Sequence, residues 1–478
     1  MVRVRLTLAM GLAVVGGWGS VAKASHPAAP PGRTDETEAA IDRTVKTFMT
    51  EQQVPGLALG VVYQGRTIFA KGYGVTDLKT KEPVTADTVF PLASLGKPFL
   101  AMLVLRLAEE HKLSLQDPIG KYLTDLPAGW DQIPLIHLLD HTAGIPDHIN
   151  SDKYKVTPDE TISAEEIYKR IISMPLTFVF GQRYQYSNGG YALIARIVEK
   201  VTGAPYGDFM NSTILRPLHL TETRMLQHAD MAKLPTGYVK GDKGPKESER
   251  WNIDWSYGAG QLGSSIADLA RWDASLYSDV VLKSDTLRFI TTDQKLTSGR
   301  PVGYAMGWNL GTYKGSPTIS HSGRFWGFTS IFIRYAAYDL TLIVLANSDT
   351  CSPEAVARKV AGLLVPRFAP RILRPIRDDY PDLTNRHLAF VQSVVNDTVD
   401  PNLLNQAMRD AFLPKVRGLQ GQLLAQFGAF TGFDPVERSA NNGLFTSRYR
   451  LQQGEKEWLI GVVTNANGTI VGFSVEEP

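Results

Sequence analysis

The sequence predicts an α/β fold followed by a smaller α+β unit. Three observations carry this. Leu57–Tyr63 and Arg66–Gly72 flank Gln64-Gly65 and read as a β-hairpin. Thr318–Ser322, Thr329–Tyr335 and Leu340–Ala346 read as further strands, far along the same segment. Between these groups the apolar residues follow helical spacing. The sheet is therefore built from both ends of one segment, and its middle supplies helices.

The elements follow in order. Asp35 opens a helix with Ile41, Val45 and Phe48 on one face, ended by Pro55. In TVFPLASLGKPFLAMLVLRL, residues 88 to 107, Leu100, Leu103, Val104 and Leu107 fall at i, i+3, i+4 and i+7. LIHLLDHTAGIP, from Leu135, is a short helix stopped by Gly144 and Pro146. Ser163-Ala164-Glu165-Glu166 is a capping box that opens a helix to about Met174. Tyr184 to Asn188 is a polar turn. The helix after it turns Tyr191, Ile194, Ala195 and Val198 inward and ends before Gly203. Residues 236 to 263 have no clear period and read as loop and short strands. Ala267–Leu276 is a helix, and Ser352-Pro353 opens another through Leu364. Past Pro366, residues 367 to 385 suit a linker. Two or three helical stretches follow between His387 and Phe430. Four strand-like runs close the chain, with Asn467-Gly468 as a hairpin turn.

The 478 residues carry a formal charge of +2. That balance gives no case for a nucleic-acid partner or an acidic membrane surface. Arg3 and Arg5, the apolar Leu6–Val15 and Ala22-Lys23-Ala24 have the pattern of a signal peptide over residues 1 to 24. Its removal leaves 47 basic residues against 48 acidic ones. The expected layout is a disordered lead-in at 25–34, a main domain at 35–366, the linker, and an accessory domain at 386–478. The expected location is periplasmic or secreted, with no stable membrane insertion. Cys351 is the single cysteine, so no internal disulfide is expected.

The chemistry centres on Ser94 and Lys97. Ser94 stands at the start of a helix and Lys97 is three residues on, so the two share a face. A serine hydroxyl needs a base to become a nucleophile. A lysine can be that base once burial lowers its pKa by up to ~3–5 units. Taken alone, S-x-x-K also describes a helix cap followed by a solvated lysine. Tyr186-Ser187-Asn188 offers a phenol to relay a proton and an amide to hold a substrate; alone, it is a capped turn. His321-Ser322-Gly323 lies in a strand, where a glycine marks close approach of backbone or ligand. Its plain alternative is a buried structural histidine. His137 and His141 are four apart but sit in an apolar motif, and no metal or cofactor is expected.

From Thr88 to Leu126 the chain resembles the class C-like branch of the serine β-lactamase and penicillin-binding protein superfamily. That branch also holds D-Ala-D-Ala carboxypeptidases, D-aminopeptidases and family VIII esterases. The resemblance continues through HLLDHTAGIP, YSNGGYALIARIVEKVTG, ILRPLHLTET, GAGQLGSSIADLARW, YAMGWNL and ISHSGRFWGFTSIF, spanning about residues 40 to 365. It implies a β-lactamase/transpeptidase-like fold, an antiparallel sheet flanked by helices with a helical subdomain. It implies Ser94 as the acylated nucleophile, Lys97 as its base and Tyr186 as general acid or base. Asn188, His321 and Gly323 would bind substrate, and the backbone N–H groups of Ser94 and Arg324 would form the oxyanion hole.

One departure bears on substrate. The third motif often begins with lysine, and here it is His321. A D-amino-acid peptidase or amidase, or a carboxylesterase, is thus expected ahead of a β-lactamase. The alternatives are a receptor that is acylated without turnover and a fold kept for interaction alone. The partner is a small-molecule or peptide substrate.

Overall fold

The computed structural model describes residues 34–476, apart from 152, 154–156, 158–160, 370–373, 414–430, 442 and 454–455. Residues 1–24, expected to be a signal peptide, and nearly all of the expected lead-in lie outside the described residues. Thr34, the last lead-in residue, caps the first helix by accepting from the Thr37 N–H. The described residues fall into two units, 34–369 and 374–476.

In the first unit, helix α1 (Asp35–Gln52) is followed by strands β1 (Gly56–Tyr63) and β2 (Arg66–Gly74). Helix α2 (Lys97–Glu109), α3 (Ala164–Ile172), α4 (Asn188–Thr202) and α5 (Ile266–Ser275) fill the middle. The remaining sheet strands are β3 (Tyr304–Ala305), β4 (Trp308–Tyr313), β5 (Ser316–Phe325), β6 (Phe328–Tyr335) and β7 (Leu340–Ala346). Helix α6 (Pro353–Leu364) closes the unit. The sheet order is β2-β1-β7-β6-β5-β4-β3, antiparallel throughout. The first strand pairs with the last, Leu57 opposite Ala346 and Val61 opposite Leu342.

Helices cover both faces of this sheet. Leu57, Leu59 and Val61 pack with Ile41, Val45 and Phe48 of α1 and with Val356 and Val360 of α6. The alternate residues Ala58 and Val62 join the cluster of α2 and α5. β7 is buried along its whole length, which is why it reads as the unbroken apolar run LTLIVLA. Each fully buried side chain of this size contributes about 1.5–3 kcal/mol. No helix among the described residues is long and apolar enough to cross a membrane.

The sequence pattern gave α2 one apolar face. In the structure α2 is buried from Lys97 to Leu105, and again at Leu107. Its second face also has partners: Phe99 stacks on Trp272 at 4.0 Å between ring centroids. A helix apolar all round belongs inside a large core, and this one carries its single lysine there.

The second unit is a sheet of four antiparallel strands in sequence order, β8 (Gly432–Asn441), β9 (Leu444–Gln453), β10 (Lys456–Asn465) and β11 (Ile470–Glu476). Its core joins Phe390, Val391 and Val394 of the Pro381–Val395 helix to Tyr449, Leu451, Ile460 and Val462. That helix starts at Pro381, inside the stretch the composition marked as linker.

Candidate active site

The chain passes from Phe90-Pro91 into a 3₁₀ turn, Ala93–Gly96, that runs directly into α2. Leu92 is held on both sides. Its N–H donates to the Leu262 carbonyl at 2.8 Å, and its carbonyl accepts from the Ser330 hydroxyl at 2.9 Å. Ala93 then takes a φ of 50°, a left-handed conformation that a side chain resists. Such strain costs of order 1–3 kcal/mol and persists only where the surroundings impose it. Gly260 helps impose it: a Cβ there would lie 2.8 Å from the Ala93 carbonyl carbon. Ser94 is the half-exposed member of this otherwise buried turn.

Lys97 is fully buried. Its Nζ lies 3.0 Å from Ser94 Oγ, 2.9 Å from Asn188 Oδ1 and 2.8 Å from the Ala259 carbonyl. Burial lowers its pKa from 10.5 to about 7, against the opposing charge of Asp147. The geometry dictates what a free amine does here. The amide oxygen and the carbonyl can only accept, so they take its two N–H groups. The lone pair is left facing the Ser94 hydroxyl, able to accept its proton.

Tyr186 stands on the other side of the serine. Its phenol interacts with the Ser94 side chain, and the Lys97 nitrogen lies 4.9 Å from its ring centre. Burial raises the Tyr186 pKa, so the phenol keeps its proton. The turn carrying it is pinned by Ser187, which caps α4 by accepting from the Gly190 N–H and donates to the Pro146 carbonyl. His141 accepts the Ser187 N–H at 3.2 Å, and its ring lies 4.2 Å from that of Tyr186.

His321 points inward from β5. Its Nδ1–H donates to the Ser322 carbonyl at 2.7 Å, which leaves Nε2 to accept from the Tyr304 hydroxyl at 3.0 Å. Burial, and then the Lys97 charge, lower its pKa to about 3, so the imidazole is neutral at any working pH. Side chains alternate along a strand, so Gly323 faces inward with His321 while Ser322 and Arg324 are exposed. The Arg324 guanidinium donates to the Asp349 carbonyl at 2.9 Å. β4 pairs with β5 only over Ser316–Ser320, so the His321–Phe325 part of that edge is left unpaired by β4.

Gly323 is where β5 meets the serine turn. A Cβ there would sit 1.9 Å from the Leu92 carbonyl oxygen and 2.4 Å from Ser330 Oγ. Backbone cannot yield as a flexible side chain can. Gly323→Ala is therefore expected to lower stability by roughly 2–3 kcal/mol and to reduce kcat as β5 moves off the turn. Urea unfolding and steady-state kinetics on the same preparation check both effects.

All seven residues singled out from the sequence lie on three adjoining pieces: the turn into α2, the turn into α4, and the end of β5. Contacts join Ser94, Lys97, Tyr186 and Asn188 directly, and ring centroids 6.3 Å apart place His321 beside Tyr186. Sequence reasoning missed three groups. The Ala259 carbonyl holds Lys97, the Tyr304 hydroxyl meets His321 Nε2, and Asp147 accepts from the Asn188 Nδ2 at 3.0 Å. Asp147 had a readable signal, since it directly follows the GIP motif. A backbone carbonyl has none. Among the described residues, no group of three or more His, Cys, Asp or Glu side chains is placed to hold a metal ion.

The family model described as Beta-lactamase matches residues 41–365. The chain belongs to that family and is a serine hydrolase of the β-lactamase and penicillin-binding protein group. Penicillin-binding protein 4* of Bacillus subtilis (strain 168) is 29% identical over 326 residues, 63% of this chain and 70% of that protein. Protein flp of Staphylococcus aureus (strain N315) is 26% identical over 331 residues, 66% of this chain and 64% of that protein. Among solved structures, the octameric penicillin-binding protein homologue from Pyrococcus abyssi is similar with a TM-score of 0.60 and 19% identity, covering 93% of this chain and 99% of that one. The D-amino acid amidase from Ochrobactrum anthropi SV3, complexed with L-phenylalanine amide, reaches 0.61 and 24%, covering 70% and 98%. At these identities the likeness to solved structures is one of fold.

Proposed function

We propose that this protein hydrolyses amide or ester bonds through an acyl-enzyme on Ser94, with D-amino-acid peptides or amides and carboxylic esters as its substrate classes. The observation that carries the reading is the Lys97 nitrogen, buried, lowered to about 7, and left with one lone pair facing Ser94.

Ser94 Oγ attacks the substrate carbonyl carbon as its proton passes to Lys97 Nζ. The oxyanion is held by the backbone N–H groups of Ser94 and Arg324; one such donor is worth ~2.7–4 kcal/mol. Collapse breaks the bond to the leaving amine or alcohol, which takes the Tyr186 proton. The Lys97 ammonium then restores the phenol. Water attacks the resulting ester with the same groups in reverse, and Ser94 leaves with its proton. The second Asn188 amide hydrogen and the unpaired edge of β5, with His321 and Gly323, hold the substrate.

The neutral His321 supports amide and ester substrates over β-lactams and peptides with a free carboxylate. A fixed cation at that position would attract the carboxylate, and a neutral imidazole does not. We further propose export, on the pattern of residues 1 to 24, with hydrolysis carried by the first unit and an accessory role for the second.

The test is turnover of p-nitrophenyl acetate, D-alanine p-nitroanilide and a chromogenic cephalosporin by the purified chain. Turnover of the first two ahead of the third is expected. A stable mass adduct on Ser94 without turnover overturns the hydrolase reading in favour of a receptor. Preference for the cephalosporin overturns the substrate assignment.

A further inference from the structure

Asp147 has no part in the acylation scheme, yet its carboxylate faces the site. Oδ2 accepts from Asn188 Nδ2 at 3.0 Å, while Oδ1 accepts from the Ile149 N–H at 2.9 Å and the Asn150 N–H at 3.3 Å. Asn150 Nδ2 also donates to Oδ2 at 3.1 Å. The Asn188 amide thus spans two groups, with Asp147 on its nitrogen and Lys97 on its oxygen.

We propose that Asp147 is a positioning residue for Lys97: its carboxylate fixes which way the Asn188 amide faces, and so keeps the amine aimed at Ser94. A carboxamide presents nearly the same shape either way round. Turned over, Asn188 would offer N–H groups to Lys97. They would bind the amine lone pair, the one the serine proton needs, and the base would be silenced. A carboxylate accepts and never donates, so only the amide nitrogen can face Asp147. The amide oxygen is then left to Lys97.

The charge acts in the same direction. The other titratable groups around the amine are the Tyr186 and Tyr191 phenols and the imidazoles of His141, His148 and His321. Burial holds all of these neutral. Asp147 is the group whose charge raises Lys97 against burial.

The proposal rests on Lys97 being the base, and the experiment separates the two. The pH dependence of kcat/KM on a p-nitrophenyl ester is measured for wild type, Asp147→Asn, Asp147→Ser, Asp147→Glu and Lys97→Met, with far-UV circular dichroism of each. Asp147→Asn is expected to move the acid-side midpoint down by about 0.5–1 unit, as loss of a nearby opposite charge requires. It is also expected to lower kcat with little change in KM. Asp147→Glu, which keeps the charge, holds the wild-type midpoint. If Asp147→Asn does not fold, Asp147→Ser reads the same shift. A midpoint that stays put or moves up in the neutral variants overturns the proposal, whatever happens to kcat. If Lys97→Met itself keeps the wild-type limb, the base assignment fails instead.

Discussion

Ser94→Ala is expected to lower kcat by ~10⁴–10⁶ for esters and anilides alike, the loss seen when a hydrolase nucleophile is removed. The fold survives the change. Ser94 is half-exposed, and its oxygen is one of three partners of Lys97, with Asn188 and Ala259 unaltered. The variant is expected to melt within a few degrees of wild type, because one hydrogen bond is worth about 0.5–1.5 kcal/mol. Intact-mass measurement after mixing with an activated ester finds an acyl adduct on wild type and none on the variant. Residual turnover near the wild-type rate would place the chemistry elsewhere.

The second large effect belongs to Lys97. Lys97→Met is expected to lower kcat/KM by about 10²–10⁴, the usual worth of a general base. On the proposed scheme the free amine is the active form, so kcat/KM is expected to climb with pH through a midpoint near 7. Below it activity falls tenfold per unit, and the variant loses this limb. Stability moves with the same proton. The folded lysine is less basic than the unfolded one, about 7 against 10.5, so the unfolded chain binds more protons between those values. The lysine's contribution is full above about 10.5 and is lost as pH falls to 7, with an amplitude of roughly 5 kcal/mol. The measurement is the wild-type minus Lys97→Met difference in unfolding free energy at pH 7 and pH 10. Equal differences at both would mean the amine is not desolvated.

Why some of this was legible in the sequence and some was not follows from range. Ser94 and Lys97 are three residues apart at a helix start, and local geometry alone brings them together. The hairpin of β1 and β2 and the capped start of α3 are equally local, and both appear where the pattern put them. Tyr186, Asn188 and His321 are distant in sequence and were found through a resemblance rather than through spacing. The Ala259 carbonyl could not be found either way, because every residue has one. The full burial of α2 was also hidden. Periodicity showed Leu100, Leu103, Val104 and Leu107, but whether Phe99 meets water or Trp272 depends on a helix starting at Ile266.

The pairing of β1 with β7 reaches past the site. Residues 56–63 are made early and must wait for 340–346 before the row of hydrogen bonds beside them can close. Such long-range closure is entropically slow, and a chain emerging from its amino end holds an unsatisfied strand throughout. Premature termination between Ser322 and Asp339 therefore yields a polypeptide with Ser94, Lys97, Tyr186 and His321 all present and no sheet centre to seat them.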